Sequence, residues 1–221
     1  MATGDRWQGH QTASPVTQTT GLGDLPMTVD DATRTRVRSE LPEICEIQDQ
    51  ELADKVVEAW AHALAQSSFE TIADIPASGN PDTPPLKTGT QTDHIRGVTR
   101  LAIAITDELG QQFQQLAVDR DLVIAAALCH DVGKPWEFDP KNQTRWSNNR
   151  IRTGWPSIRH PGYGVHICLT VGLPEEVAHV AGGHSGEGEL VQRSLTNMIV
   201  HQADYAFWGV LRAGDLLEDE T

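Results

Sequence analysis

The chain has 221 residues, of which 17 are Lys or Arg and 31 are Asp or Glu, for a formal net charge of −14. That length suits one ordinary domain with a full core, and the acidic balance argues against bulk nucleic-acid binding or attraction to anionic membranes, both of which call for a basic field. Cys45, Cys129 and Cys168 stand far apart without a CxxC, no signal peptide is recognisable and no apolar run is long enough to span a bilayer, so the expectation is a cytoplasmic protein with reduced core thiols.

Residues 1–26 are rich in Thr, Gln, Gly and Ser and read as a disordered tail in which Trp7 and His10 carry no role. Asp30 or Asp31 is expected to cap a short helix running to about Glu40. A second helix, from Asp49 to about Ser67, carries an apolar stripe of Val56, Val57, Trp60, Leu64 and Ala65 and leaves His62 on the surface. Residues 76–92 hold four prolines and two glycines; they read as a loop that can border a site.

The next helix is predicted to start near Thr92 or Asp93. His94, Val98, Leu101 and Ile105 recur at helical spacing, which turns His94 toward the core. A hydrogen-bonded core histidine and a metal ligand both fit that position, and the buried histidines that recur later favour the ligand. Asp119 or Asp121 caps the following helix, whose apolar run Leu122–Cys129 ends in His130-Asp131-Val132-Gly133-Lys134. A charged pair there is costly unless something compensates it. The bland explanation is a helix ending in two polar residues; the chemical one is a divalent metal, since imidazole and carboxylate together suit Zn, Mn or Fe. Gly133 is expected to let the chain turn and Pro135 to stop the helix. Lys134, three residues after Asp131, can reach back to the same place as a fixed cation.

Residues 135–159 read as the least regular segment. Between Lys134 and Arg159 there are six basic residues and two acidic ones. This is either a solvated loop or a loop that draws in an anion such as phosphate, with Arg150, Arg152 and Arg159 as candidate contacts. His160-Pro161 opens another helix, with proline favourable at its first position; Ile167, Cys168 and Val171 face the core and His166 does not. Gly172 ends it, and Pro174, Glu175 and Glu176 begin the next, where acids suit the helix dipole. Val177, Val180, Ala181 and His184 share one face there and His179 lies off it. Gly182, Gly183, Gly186 and Gly188 surround His184, which would let a small ligand approach the backbone. The last helix, Ser194 to Arg212, puts Asp204 in an apolar stripe with Val200, Phe207, Trp208 and Leu211. A buried aspartate needs a partner, and a metal would supply one. His201 is either a residue that orients a ligand or a surface residue, with the former favoured.

The order His94, His130-Asp131, Asp204 resembles the H…HD…D pattern of the HD-domain superfamily of metal-dependent phosphohydrolases, supported by His-Asp-Val-Gly-Lys at a helix end, by His160-Pro161 and by Ala203-Asp204 on a late helix. The resemblance covers roughly residues 40–213. It implies an all-α helical bundle over 27–213 with a central metal site; the residues at 214–221 themselves read as an acidic, frayed tail. By resemblance, His94, His130, Asp131 and Asp204 would hold a first metal. His160 and His184 would add a second, with Asp131 bridging the two divalent ions (Mn, Fe, Zn or Mg). Such a pair can clamp a phosphoryl group, generate a bridging hydroxide and stabilise the leaving oxygen, with Asp131 and Lys134 as catalytic residues. The implied substrate is a small anionic phosphate mono- or diester or a nucleotide. Lys134, Arg150, Arg152 and Arg159 would bind it. The Gly-Tyr-Pro signature of the cyclic di-GMP subgroup is absent. Mixed-valence di-iron oxygenases of the same superfamily share the ligand set, and a non-catalytic metal-containing binding protein is a third alternative. The sequence leaves a homo-oligomeric assembly open.

Overall fold

The computed structural model describes residues 29–219, so the tail expected at 1–26 lies outside the described residues. Those residues form ten α-helices, joined in places by 3-10 turns. They are α1 (Asp31–Glu40), α2 (Gln50–Ala65), α3 (Gln91–Gln112), α4 (Arg120–Cys129), α5 (Lys134–Phe138), α6 (Pro140–Ser147), α7 (Arg150–Thr153), α8 (His160–Thr170), α9 (Glu175–Gly183) and α10 (Leu195–Ala213). The one extended pairing among the described residues is an isolated antiparallel bridge between Leu86 and Leu217.

The fold is built around α4. Every residue from Val123 to Cys129 is fully buried, as a helix apolar on all sides must be. It packs against α2, α3, α9 and α10. Asp119 caps it by accepting from the Leu122 amide. Asp121 serves elsewhere, accepting the Gln48 and Asp49 amides ahead of α2. The Trp60 indole of α2 donates to the Leu128 carbonyl at 2.8 Å. That bond satisfies one of the end-of-helix carbonyls, which have no partner within the helix.

Several expectations need correction. Thr90, rather than Thr92 or Asp93, caps α3; Asp93 closes the reciprocal capping box three residues in. Leu101 is exposed, because the buried face of α3 runs through His94, Ile95, Val98, Ala102 and Thr106 toward α4 and α10. Ala65, the last residue of α2, is exposed as well. The segment expected to be least regular holds three short helices, α5 to α7. Pro135 lies in the first turn of α5, so it starts a helix there rather than only stopping one. Gly133 has an ordinary right-handed conformation (φ −83°). Glycine is needed there for space: a Cβ would overlap the His160 carbonyl oxygen and come within 2.6 Å of the Gly164 nitrogen. The N-terminus of α8 is thereby seated against the end of α4. Gly172, at φ +74°, does end α8 through a left-handed turn.

The C-terminal stretch is laid down rather than frayed as far as it is described. The Lys87 amide donates to the Leu216 carbonyl at 2.9 Å and the Glu218 amide to the Pro85 carbonyl at 3.0 Å. Lys87 also pairs with Asp215 at 3.0 Å. These contacts fasten it to the proline-rich loop before α3.

Candidate metal centre

Five helices deliver six side chains to one place beside the end of α4. His94 sits in the first turn of α3, and His130 and Asp131 follow α4 directly. His160 is the first residue of α8, His184 follows α9, and Asp204 lies midway along α10. All six are buried.

Asp131 is the centre of the arrangement, and its two oxygens face different partners. Oδ2 lies 3.1 Å from His94 Nε2, 3.4 Å from His130 Nε2 and 2.7 Å from the Lys134 ammonium. Oδ1 lies 3.3 Å from His160 Nε2 and 3.5 Å from His184 Nε2. Two groups of donors thus share one carboxylate, His94–His130–Asp131 and Asp131–His160–His184, each with its atoms within 4.8 Å of one another. Asp204 Oδ1 stands 3.5 Å from His94 Nε2 and 4.0 Å from His130 Nε2.

Hydrogen bonds on the outer nitrogens set which way the lone pairs point. His130 Nδ1 donates to the Ala127 carbonyl at 2.6 Å and His184 Nδ1 to the Ala181 carbonyl at 3.1 Å. His160 Nδ1 bonds the Glu137 carboxylate. In its neutral form each of these rings then presents an unprotonated Nε2 inward. Asp204 Oδ1 is buried without a hydrogen-bond donor, which is costly for a carboxylate unless a cation answers it. Inward imidazole lone pairs, a shared carboxylate and an orphaned carboxylate oxygen form a set that fits divalent ions of the Zn, Mn or Fe type.

Electrostatics follow the same geometry. Burial pushes His130 down to about 4, and burial also lowers His160 against the pull of Glu137 and Asp131. Burial would lower His184 too, but its contacts with Asp131 and the charge of Asp204 carry it above the ordinary value. Asp131 is held well below the carboxylate range: burial opposes this, and Lys134 and the surrounding histidines outweigh it.

Two buried side chains escaped the reading of the sequence. Gln91, one turn before His94, donates to Asp131 Oδ2 at 2.9 Å and accepts from Lys134 at 3.3 Å. Glu137, completely buried, bonds both the His160 ring and the His160 amide. The signal for Gln91 was its i, i+3 spacing to His94; for Glu137 it was a carboxylate between Trp136 and Phe138. Lys134 is buried and held by the Ser78 carbonyl at 2.6 Å in addition to Asp131 and Gln91. His201 Nδ1 donates to the His184 carbonyl at 2.6 Å, so it bears on the position of His184 through the backbone. His166 is exposed, and His179 accepts from the Ser194 amide.

A cavity of about 450 Å³ opens onto the cluster, reaching Asp131, Lys134, Arg159, His160, His184 and Asp204. Arg159 Nε lies 3.1 Å from Glu137 and 3.6 Å from Glu187. Arg150 and Arg152 do not line this cavity; both are exposed, and Arg150 lies over the Trp155 ring at 4.3 Å. The glycines around His184 mostly serve the protein's own contacts. A Cβ at Gly182 would meet Val165 at 2.8 Å, one at Gly183 would meet Asn197 at 2.7 Å, and one at Gly188 would overlap the Gly183 carbonyl. Only Gly186, of these four, faces open space, and it lines the cavity. Among the described residues, no helix is long and apolar enough to cross a membrane.

Comparison with known proteins adds two matches. The sequence profile of the HD domain matches residues 92–207. Dihydroneopterin 2',3'-cyclic phosphate phosphodiesterase from Methanocaldococcus jannaschii is similar, at 27% identity over 167 residues. That alignment covers 73% of this chain and 64% of the relative, so the chain spans less than two thirds of the relative's length. No solved structure matches the chain.

Proposed function

Since the chain belongs to the HD domain family, we propose that it is a metal-dependent phosphohydrolase whose cluster holds two divalent ions joined by Asp131. The observation that carries this reading is the division of Asp131, with Oδ2 toward His94 and His130 and Oδ1 toward His160 and His184. His94, His130, Asp131 and Asp204 would hold one ion, and Asp131, His160 and His184 the other. When bound, two such ions supply an activated water and neutralise phosphoryl oxygens.

The chain's own groups do the remaining work. Lys134 and Gln91 fix Asp131 through its Oδ2. Glu137 fixes the His160 tautomer and ring orientation. Arg159 lines the cavity and would neutralise a phosphate entering beside His160. Arg150 and Arg152, outside the cavity, are given no part in binding. The substrate is a small anionic phosphate ester. The relative's name makes a 2',3'-cyclic phosphate diester the first compound class to try. Water would add to phosphorus, the ester P–O bond would break, and the leaving alkoxide would take a proton.

The test combines elemental analysis of purified protein with anaerobic hydrolysis of phosphate mono- and diesters, for wild type and Asp131→Ala. We expect two divalent ions per chain, lost together in the variant, and kcat/KM lower by at least about a hundredfold. Folded protein that binds no divalent metal would end this reading. Turnover that requires both iron and O₂ would replace hydrolysis with oxygenation at the same cluster.

A further inference from the structure

The cavity extends well past the cluster, and its far wall is the next two turns of α10. Tyr205, Trp208 and Arg212 line it at i, i+3 and i+7, which places them on one face beyond Asp204. Trp208 packs against the His94 ring, with centroids 4.8 Å apart and planes at 32°, and so stands beside the cluster while lining the cavity. Tyr205 is half exposed. Gly209 also lines the cavity, and a Cβ built on it would meet nothing within 4 Å. A glycine inside a helix weakens it relative to alanine, and here it leaves room where the cavity needs it. Arg212 makes no ion pair among the described residues, unlike Lys134 and Arg159, the other cations on the cavity wall. It comes eight residues after Asp204, a rise of about 12 Å along the helix.

We propose that this face of α10 selects the substrate: Trp208, with Tyr205 beside it, is the platform for a planar heteroaromatic ring carried by the phosphate ester, and Arg212 binds a carbonyl or anionic acceptor at the far end of that ring. The inference rests on the phosphohydrolase reading for the phosphate end alone. A flat indole on the cavity wall is what a ring requires, since stacking on an aromatic side chain is tolerant of ring identity. A guanidinium with no ion pair among the described residues, at the distal end, supplies donors for a ring carbonyl or a second anion. The cavity volume lies within the range of small-molecule sites and exceeds what a bare phosphate needs. Trp208 and Arg212 are specificity-determining residues here, remote from the bond that breaks.

The test uses metal-loaded protein and two probe sets. One is the adenosine, guanosine, cytidine and uridine 2',3'-cyclic phosphates; the other is glycerol 1,2-cyclic phosphate, which has the reacting group without a ring. Binding by calorimetry and kcat/KM are measured for wild type, Trp208→Ala, Trp208→Phe, Gly209→Trp and Arg212→Ala. In wild type we expect at least one ring-bearing ester to bind about tenfold or more tighter than the ringless one. That ratio should fall about tenfold in Trp208→Ala and Gly209→Trp, return largely in Trp208→Phe, and fall less in Arg212→Ala. Wild type binding all ring-bearing esters no tighter than the ringless ester would overturn the inference. So would variants that weaken both probe sets equally, because Trp208 would then merely support His94. Ring-selective binding without hydrolysis would sustain the ring subsite and sink the phosphohydrolase reading.

Discussion

Three of the four imidazoles in the cluster are fixed by an acceptor behind them: Ala127 O, Ala181 O and the Glu137 carboxylate. Without metal, this burial makes stability depend on pH. His130 is lowered from 6.5 to about 4, so between about 4 and 6.5 the unfolded chain binds more protons there, and His160, lowered too, acts in the same direction. Stability therefore falls as pH drops through that window. His184 is raised above 6.5, so its contribution is complete below 6.5 and is lost as pH rises through its folded value. Urea midpoints of chelator-treated protein should peak near pH 6.5, with the steeper decline on the acid side, where Asp131 and Glu137, both lowered, add to the loss as pH drops further. A flat profile from pH 4.5 to 6.5 would contradict the assigned protonation states. At this scale the sequence was readable where a polar residue interrupted a helical stripe, as with His94 and Asp204. Glu137 and Gln91 left only the weaker signals of a carboxylate between two aromatics and an i, i+3 spacing to His94, because each sits at the start of a helix or in a short one, where no stripe exists to be interrupted.

At the scale of elements, the contact between α8 and the end of α4 depends on the missing side chain of Gly133. Gly133→Ala forces a methyl group onto the backbone of His160 and Gly164, and overpacking of this kind costs about 1–3 kcal/mol. Thermal unfolding should register that loss. Metal analysis should show the His160–His184 half of the cluster depleted before the His94–His130 half. Equal loss from both halves would mean that α8 is not the element displaced. Helices α1, α2, α4 and α10 were legible because caps and periodicity agreed: Asp30, Asp49, Asp119 and Ser194 all cap the helices they precede. Helices α5 to α7 were not, since elements of four to eight residues complete barely one or two turns and offer no period to recognise. The arginines between α6 and α8 were legible only as charge. Their placement depends on the local turns, which put Arg159 on the cavity wall and lay Arg150 on Trp155.

For the whole molecule, the cluster joins α3, α4, α8, α9 and α10, so bound ions would tie together most of the bundle. Anything that binds the folded chain alone stabilises it, by about 4 kcal/mol at a thousandfold excess over Kd. For a chain of this length, removal by chelator should lower Tm on the order of 10 °C, and Asp131→Ala should lose that response. An unchanged Tm after verified metal removal would show that apolar burial around α4 alone sets the stability. The all-helical architecture followed from the HD-type pattern in the sequence. The docking of residues 215–218 onto the loop before α3 did not, because main-chain bonds between distant segments leave no side-chain signature.

The stretch from His130 to Glu137 contributes, in eight consecutive positions, two cluster side chains, the Lys134 ammonium that holds Asp131, the gap at Gly133 that admits α8, and the Glu137 carboxylate that orients His160. Its parts face opposite sides of Asp131 and are kept in phase by the turn at 130–133 and the first turn of α5. One residue inserted within α5 before Glu137 would rotate that carboxylate by about 100°, moving it off His160 even if every side chain were retained. Composition at several of these positions can drift; their number cannot, and related chains should vary here by substitution while keeping the count of residues fixed.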